Sequence, residues 1–299
     1  MTDRVVIAIP TFRRPMNLER LLNVLAAQET DAAICVLVAD NDAENQDGVT
    51  VCARLASSYR WPLRAVVAKE RGIAQVRNVL VAEALAMDPA FIAMIDDDEW
   101  PDSHWIARFL DAQRMTGADI LQGSILFGDE SGATPDIRRP SGPVDMLQGA
   151  GNLFIKRGRL AAMTAPWFDP AFALTGGEDR DFFLRLKTEG ARFAWSDEAR
   201  CYGDVPESRA NLGWALKRAY SIGNSDMRVL LKHQPGLVTW AGESLKILGA
   251  LLLSLPLAFI LAPSPNRRLA PLTKLFRAAG KLTAMAGLRY NEYAVVHGE

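Results

Sequence analysis

The stretch FIAMIDDDEW, residues 91–100, runs five apolar residues into four consecutive carboxylates, Asp96, Asp97, Asp98 and Glu99. Adjacent carboxylates repel one another and lose hydration, so they gather where a hard divalent cation or a structured network compensates them. Mg2+ or Mn2+ keeps several waters and takes one or two protein carboxylates plus phosphate oxygens. The cluster therefore reads as half of a metal site whose other half is a diphosphate. The alternative is an acidic turn before a helix, with Asp102 or Ser103 as N-cap ahead of Trp105, Ile106, Phe109 and Leu110. Further polar groups recur at comparable places. IPTFRR carries Thr11, Arg13 and Arg14, VADND carries Asp40 and Asp42, and RGIAQVRN carries Arg71, Arg77 and Asn78. A carboxylate in such a set can accept a nucleobase N–H, and arginines can face phosphates. Each is ordinary turn or surface chemistry when alone; together they repeat at the ends of successive apolar runs.

Those runs are the elements that must position them. VVIAIP (5–10), ICVLVA (34–39), LRAVVA (63–68) and FIAMI (91–95) are nearly continuous apolar stretches, as expected of parallel strands covered on both faces. Helical spacing lies between them. Pro15 opens one helix with the stripe Leu18, Leu21, Leu22 and Leu25, and Ile73, Val76, Val79, Leu80 and Ala84 form another stripe. A β-α-β-α order predicts a doubly wound, mostly parallel α/β sheet, which binds ligands at the carboxyl ends of its strands. No GxGxxG or GxxxxGK[ST] follows the first strand, so dinucleotide and P-loop chemistry lack their usual sign.

Composition narrows the partners. Among 299 residues, 49% are hydrophobic, and 34 Lys and Arg stand against 35 Asp and Glu, so no global field favours nucleic acid. Cys35, Cys52 and Cys201 are odd in number and not spaced for metal, as expected of free thiols in a reducing compartment. MTDRVVIAIP lacks the basic start and long apolar run of a secretory signal, which leads us to expect the catalytic part in the cytoplasm.

Taken together, VVIAIPTFRR, VLVADND, GIAQVRNVLVAEA, FIAMIDDDEWP and GGEDRDFFLRLKTEG resemble the inverting, nucleotide-sugar-dependent family 2 glycosyltransferases of GT-A fold, in particular the bacterial enzymes of exopolysaccharide synthesis. The resemblance covers about residues 4–230 and implies a UDP-sugar donor, with glucose the first expectation, and a divalent metal, Mg2+ or Mn2+. It implies that Pro10, Thr11, Arg13, Asp40 and Arg77 hold the nucleotide. Asp96 and Asp97 would lie toward the ribose, and Asp98, with Asp96, would bind the metal. Inverting transfer is a single displacement at the anomeric carbon, and the acceptor hydroxyl needs a carboxylate to take its proton. The family's ED element assigns that role to Asp179, with Glu178 second; both are alternatively first-turn acids favoured by the helix dipole. Gly151 and Asn152 in GAGNLFIKR would line the sugar and acceptor pocket, with Arg209 and Trp214 on the product side. The QxxRW signature of processive relatives is absent, which implies one sugar per encounter. A histidine completes the metal shell in many relatives; here only Asp204 lies near that place, and His233 is well beyond it.

The C-terminal part differs in character. ILGALLLSLPLAFILA, residues 247–262, is charge-free but only 16 residues long and interrupted by Pro256, whereas a span needs about 20. Beyond it, Leu269, Leu272, Leu275, Phe276, Ala279, Leu282 and Met285 fall at helical spacing among Arg267, Arg268, Lys274, Arg277 and Lys281. Such a basic amphipathic helix suits an anionic cytoplasmic leaflet. The expected organisation is a catalytic domain over 1–232 and a helical extension over 233–299. Residues 240–290 would form an interfacial or re-entrant hairpin on the cytoplasmic face of the bacterial inner membrane, beside a polyprenyl-diphosphate-linked glycan acceptor. Two other functions use the same features: a catalytically silent nucleotide-binding assembly subunit, and a magnesium-dependent nucleotidyltransferase.

Overall fold

The computed structural model describes residues 2–127, 139–204, 211–262 and 265–292, and the side chains of 265–268, Arg267 and Arg268 among them, lie outside the described part. Two compact units divide the chain: residues 1–170 with 181–205, and residues 171–180 with 206–299. The division falls inside one helix, after Arg180, and the expected boundary at 232/233 lies within the second unit.

The first unit is a mixed sheet flanked by helices. Strands β1 (Arg4–Thr11), β2 (Ala33–Asp40), β3 (Leu63–Val67) and β4 (Phe91–Met94) coincide with the four apolar runs and pair in parallel in the order β3-β2-β1-β4. Strands β1, β2 and β4 are buried along nearly their whole length, while β3, at the edge, is only partly covered. Beyond β4 the pattern changes. β5 (Glu99–Pro101), β6 (Ile120–Phe127), β7 (Gly142–Val144), β8 (Leu153–Lys156) and β9 (Phe193–Gly203) continue the sheet with antiparallel pairings of β8 to both β4 and β6. Among the described residues only β6 and β9 pair in parallel there, so the sheet is less uniformly parallel than its first half suggests. β5, β7 and β8 are only three or four residues long, and β6 and β9 are interrupted by polar residues such as Gln122, Ser124, Asp197 and Glu198, so this half shows no long apolar run and escaped the periodicity.

Helices α1 (Pro15–Ala26), α2 (Asp47–Leu55), α3 (Ile73–Ala86), α4 (Trp105–Thr116), α5 (Arg157–Ala162) and α6 (Glu178–Thr188) follow in chain order. Pro15 opens α1, and Leu18, Leu21, Leu22 and Leu25 are all buried, as its spacing predicts. In α3 the covered face is Ala74, Val76, Arg77, Leu80, Val81 and Ala84; Ile73 and Val79 are only partly covered, and Arg77 is buried instead. Stacked rings of Phe91, Phe154 and Phe109, with Trp105 edge-on to Phe109, fill the core between sheet and α4.

The second unit holds α7 (Leu212–Lys232), α8 (Leu237–Ile260) and α9 (Pro265–Met285). Met227, Ile247, Ala278 and Ala284 form its core, with Leu230, Trp240 and Ala250 against them. α7 and α9 touch backbone to backbone: a Cβ on Gly223 would stand 2.0 Å from the Arg277 carbonyl, and one on Gly280 would stand 2.0 Å from the Tyr220 carbonyl. Asn224 closes the contact by donating to Thr283 Oγ1 and the Leu288 carbonyl. α8 is longer than the 16-residue run implied, because Leu237–Lys246 joins the same helix. Glu243 inside it is neutralised by Lys246 at 2.7 Å and by Lys281 of α9. Among the described residues α8 is the one helix long and apolar enough to cross a membrane, and it is mostly exposed.

Candidate active site

In an open α/β sheet the crevice forms where neighbouring strands send their connections opposite ways. Here β1 lies between β2 and β4, and the β1–β4 junction is such a place. The carboxyl ends of those two strands bring Thr11 and the acidic turn together. Thr11 Oγ1 donates to Asp97 Oδ2 at 2.8 Å, and Arg14 Nη1 bridges Asp97 Oδ1 at 3.1 Å and Asp98 Oδ2 at 3.0 Å. Arg77 Nη2 reaches Asp96 Oδ1 at 3.2 Å from the buried face of α3. Two arginines and a hydroxyl thus compensate the charges at 96–98 within the protein itself. Burial pushes Asp97 up to about 7 against the pull of Arg14, and burial with the charges of Asp96 and Asp98 raises Glu99 well above the carboxylate range.

The exposures of these acids differ. Asp97 is buried, whereas the side chains of Asp96 and Asp98 are 33% and 35% exposed. No three His, Cys, Asp or Glu side chains are gathered for a metal among the described residues. A Mg2+ or Mn2+ ion needs only one or two protein oxygens when a diphosphate supplies others, so the accessible pair Asp96 and Asp98 fits that donor set chemically. Asp204, the expected near-neighbour for a third ligand, instead pairs with Arg20 at 3.2 Å, and His233 caps the end of α7.

Around this centre, several expected residues have structural partners. Asp40 is buried, and its oxygens accept the N–H groups of Asp42, Gly48 and Val49, which fixes the first turn of α2. Pro10 precedes Thr11 in the buried end of β1. Arg13 takes a left-handed backbone (φ 54°) where β1 ends, and its Nε donates to Asp42 Oδ2 at 2.8 Å. That bond, followed by contributions from Asn45 and Glu44, holds Asp42 down at about 2 despite its burial. Asn41, passed over in the sequence, donates to the carbonyls of Ala68 and Glu70 and accepts from Gly72 N–H, so it pins the loop carrying Arg71. Its signal was its place between two acids at a strand end. Arg14 was grouped with Arg13 by sequence, yet it is Arg14 that meets the acidic turn. Asn78 clamps both the N–H and the carbonyl of Phe168.

Asn152 is fully buried and inward-facing. It accepts from Trp105 Nε1 at 2.7 Å and donates to the carbonyls of Ser124 and Ala199, both at 2.8 Å. Its position is that of a stitch between β6, β9 and α4. Gly151 leaves room for Glu99: a Cβ there would stand 2.7 Å from Glu99 Oε1.

Glu178 and Asp179 open α6 and belong to the second unit. Gly176 and Gly177 before them have φ of 74° and 97°, a backbone that only glycine adopts cheaply. Glu178 is buried, Asp179 is partly exposed, and Arg180 N–H donates to Asp179 Oδ1 at 2.7 Å. Trp214 lies in the first turn of α7, which Asn211 caps; Arg209 lies outside the described residues.

Residues 6–166 match the model of glycosyl transferase family 2. The chain belongs to that family. It is 30% identical over 247 residues to the succinoglycan biosynthesis protein ExoM of Rhizobium meliloti, covering 79% of this chain and 78% of that protein. Glycosyltransferase AglE of Haloferax volcanii is 28% identical over 44% of this chain and 42% of its own. Among solved structures, the mannosyltransferase PcManGT of Pyrobaculum calidifontis, in complex with GDP-Man and Mn2+, superposes with a TM-score of 0.63 at 16% identity, covering 95% of this chain and 88% of that one. TarS 1-349 of S. aureus in complex with UDP gives 0.55 at 16%, covering 97% and 93%. These likenesses establish the GT-A fold, and the family 2 chain is a glycosyltransferase.

Proposed function

We propose that this family 2 enzyme transfers one sugar, with inversion, from a UDP-sugar to a polyprenyl-diphosphate-linked glycan at the cytoplasmic face of the bacterial inner membrane, in exopolysaccharide or cell-surface glycan synthesis. The similarity to ExoM over most of both chains supports this setting, and glucose is the first donor to test. The observation carrying the reading is the meeting of Thr11 and Arg14 with Asp97 and Asp98 at the β1–β4 switch point. The nucleotide is assigned to Pro10, Thr11, Arg13 and Arg77, with Asp96 and Asp97 toward the ribose. Asp40 acts there by holding the α2 turn. Asp98, with Asp96, would hold a divalent metal, which when bound offsets the negative charge of the departing diphosphate. Asp179 takes the proton of the acceptor hydroxyl, and Glu178, more deeply buried, is the second candidate for that role.

The test uses Asp98→Ala and Asp179→Asn in the full chain with Mn2+, UDP-glucose and a membrane extract as acceptor source. Asp98→Ala should weaken both UDP binding and transfer. Asp179→Asn should bind UDP as the parent does while transfer falls by at least about 100-fold, the usual scale of a lost general base. Transfer at the parent rate by Asp179→Asn sinks the base assignment, and release of pyrophosphate in place of UDP sinks the reaction class.

A further inference from the structure

The segment carrying Glu178 and Asp179 is fastened to the C-terminal helices by an array of contacts, all within the second unit. Arg228 of α7 donates to Thr175 Oγ1 and to the Ala171 carbonyl, and its guanidinium lies 4.9 Å from the Phe172 ring centroid. Lys232, one turn on, lies 5.6 Å from the same ring. A Cβ on Gly177 would meet Ser225 and Val229 of α7 at 3.1 and 3.3 Å, so the turn before Glu178 rests directly on that helix. At the end of the segment, Arg180 donates to Asp226 Oδ1, and Asp226 Oδ2 receives Arg277 from α9. The Asp226 side chain is only 12% exposed, while the two arginines are about half exposed. One carboxylate in α7 therefore joins the residue after Asp179 to the third helix of the bundle.

We propose that Asp226 is a positioning residue for Asp179. By holding Arg180 and Arg277 at once, it makes the location of the base a property of the α7–α9 pair, so the C-terminal helices take part in turnover besides any role at the membrane. The proposal rests on Asp179 being the base. A carboxylate shared by two guanidiniums is a fixed, charge-assisted junction, and losing it frees the first turn of α6 to move. A displacement of about 1 Å at a reacting group can cost on the order of 100-fold in rate.

The full-length protein is compared with Asp226→Asn, Asp226→Glu and Arg180→Gln in two measurements. Hydrogen–deuterium exchange should speed at least tenfold over 171–180 in Asp226→Asn and Arg180→Gln, with α7 and α9 as protected as in the parent. UDP release from UDP-glucose with Mn2+ and membrane extract should lose at least tenfold in kcat, with the donor KM within twofold, and Asp226→Glu should recover most of both properties. Parent-like exchange over 171–180 in both variants overturns the proposal. So does exchange accelerated equally throughout α7 and α9, which marks a merely structural role. If Asp226→Asn fails to fold, Arg180→Gln, at an exposed position, decides alone. A parent that releases no UDP overturns the donor assignment, and the exchange measurement still judges the junction.

Discussion

Asp42 and Asp40 stand two residues apart, and their partners give them different work. Asp40 spends its oxygens on backbone N–H groups, whereas Asp42 holds the Arg13 side chain at the end of β1. The Asp42 carboxyl is lowered from 3.8 to about 2 in the fold, chiefly by Arg13, so the folded state favours its charged form. A depressed acid contributes stability that is present above its unfolded value and lost as pH falls through the folded one. The excess stability of the parent over Asp42→Asn, measured by urea midpoints, should hold steady above about pH 5 and vanish as pH approaches 2. An excess that persists undiminished at pH 2 assigns it to shape instead of charge. Much of the site was legible at this scale: the acids at 96–98, Thr11 and Arg77 were expected together, and they meet. The inward turn of Asn152 was not legible, because an amide beside a glycine looks the same in sequence whether it faces a ligand or three buried partners.

The contact between α7 and α9 turns on two glycines in helices, where glycine is otherwise costly. Replacing either by alanine gains up to about 1 kcal/mol of helix propensity. Against that, the added carbon would stand 2.0 Å from a backbone carbonyl of the facing helix, which cannot swing aside as a side chain can. Overpacking of this kind costs about 1–3 kcal/mol, so Gly223→Ala and Gly280→Ala should both lower Tm. Gly249→Ala in α8, where a Cβ meets nothing within 4 Å among the described residues, should leave Tm unchanged or raise it. Equal behaviour of all three variants would refute the close approach. The first four strands and α1 were readable because each parallel strand is a near-continuous apolar run, whether eight residues as in β1 and β2 or four or five as in β4 and β3, and because a first-turn proline marks its helix. The β8 insertion was hidden, since its four residues pair far along the chain with β4 and β6, and register between distant segments leaves no local trace.

For the molecule as a whole, the exposed apolar surface of α8 is the feature to account for. Leu245, Leu252, Leu253, Phe259 and Ile260 are each more than 60% exposed on a helix that buries little else. At 24 residues it is about 36 Å long, enough for a membrane core, yet its first half carries Glu243 and Lys246. An apolar stretch that follows a charged pair in the helix's first half suits insertion of the part beyond Lys246 with that pair at headgroup level. The parent should co-sediment with vesicles of phosphatidylethanolamine and phosphatidylglycerol, and Leu252→Asp with Leu253→Asp should remain in the supernatant while keeping the parent's circular dichroism. A parent that stays in the supernatant without detergent removes the membrane assignment.

The seating of β8 between β4 and β6 also dictates an order of assembly. While the chain is being made, the four parallel strands can pair as soon as β4 has left the ribosome, but the outer side of β4 keeps its hydrogen-bonding groups bare until β8 arrives from beyond α4 and β6. A naked strand flank invites pairing with other chains. The nascent protein is therefore most vulnerable to aggregation in that interval, and dependence on chaperones should peak there and subside once residues 153–156 close the gap.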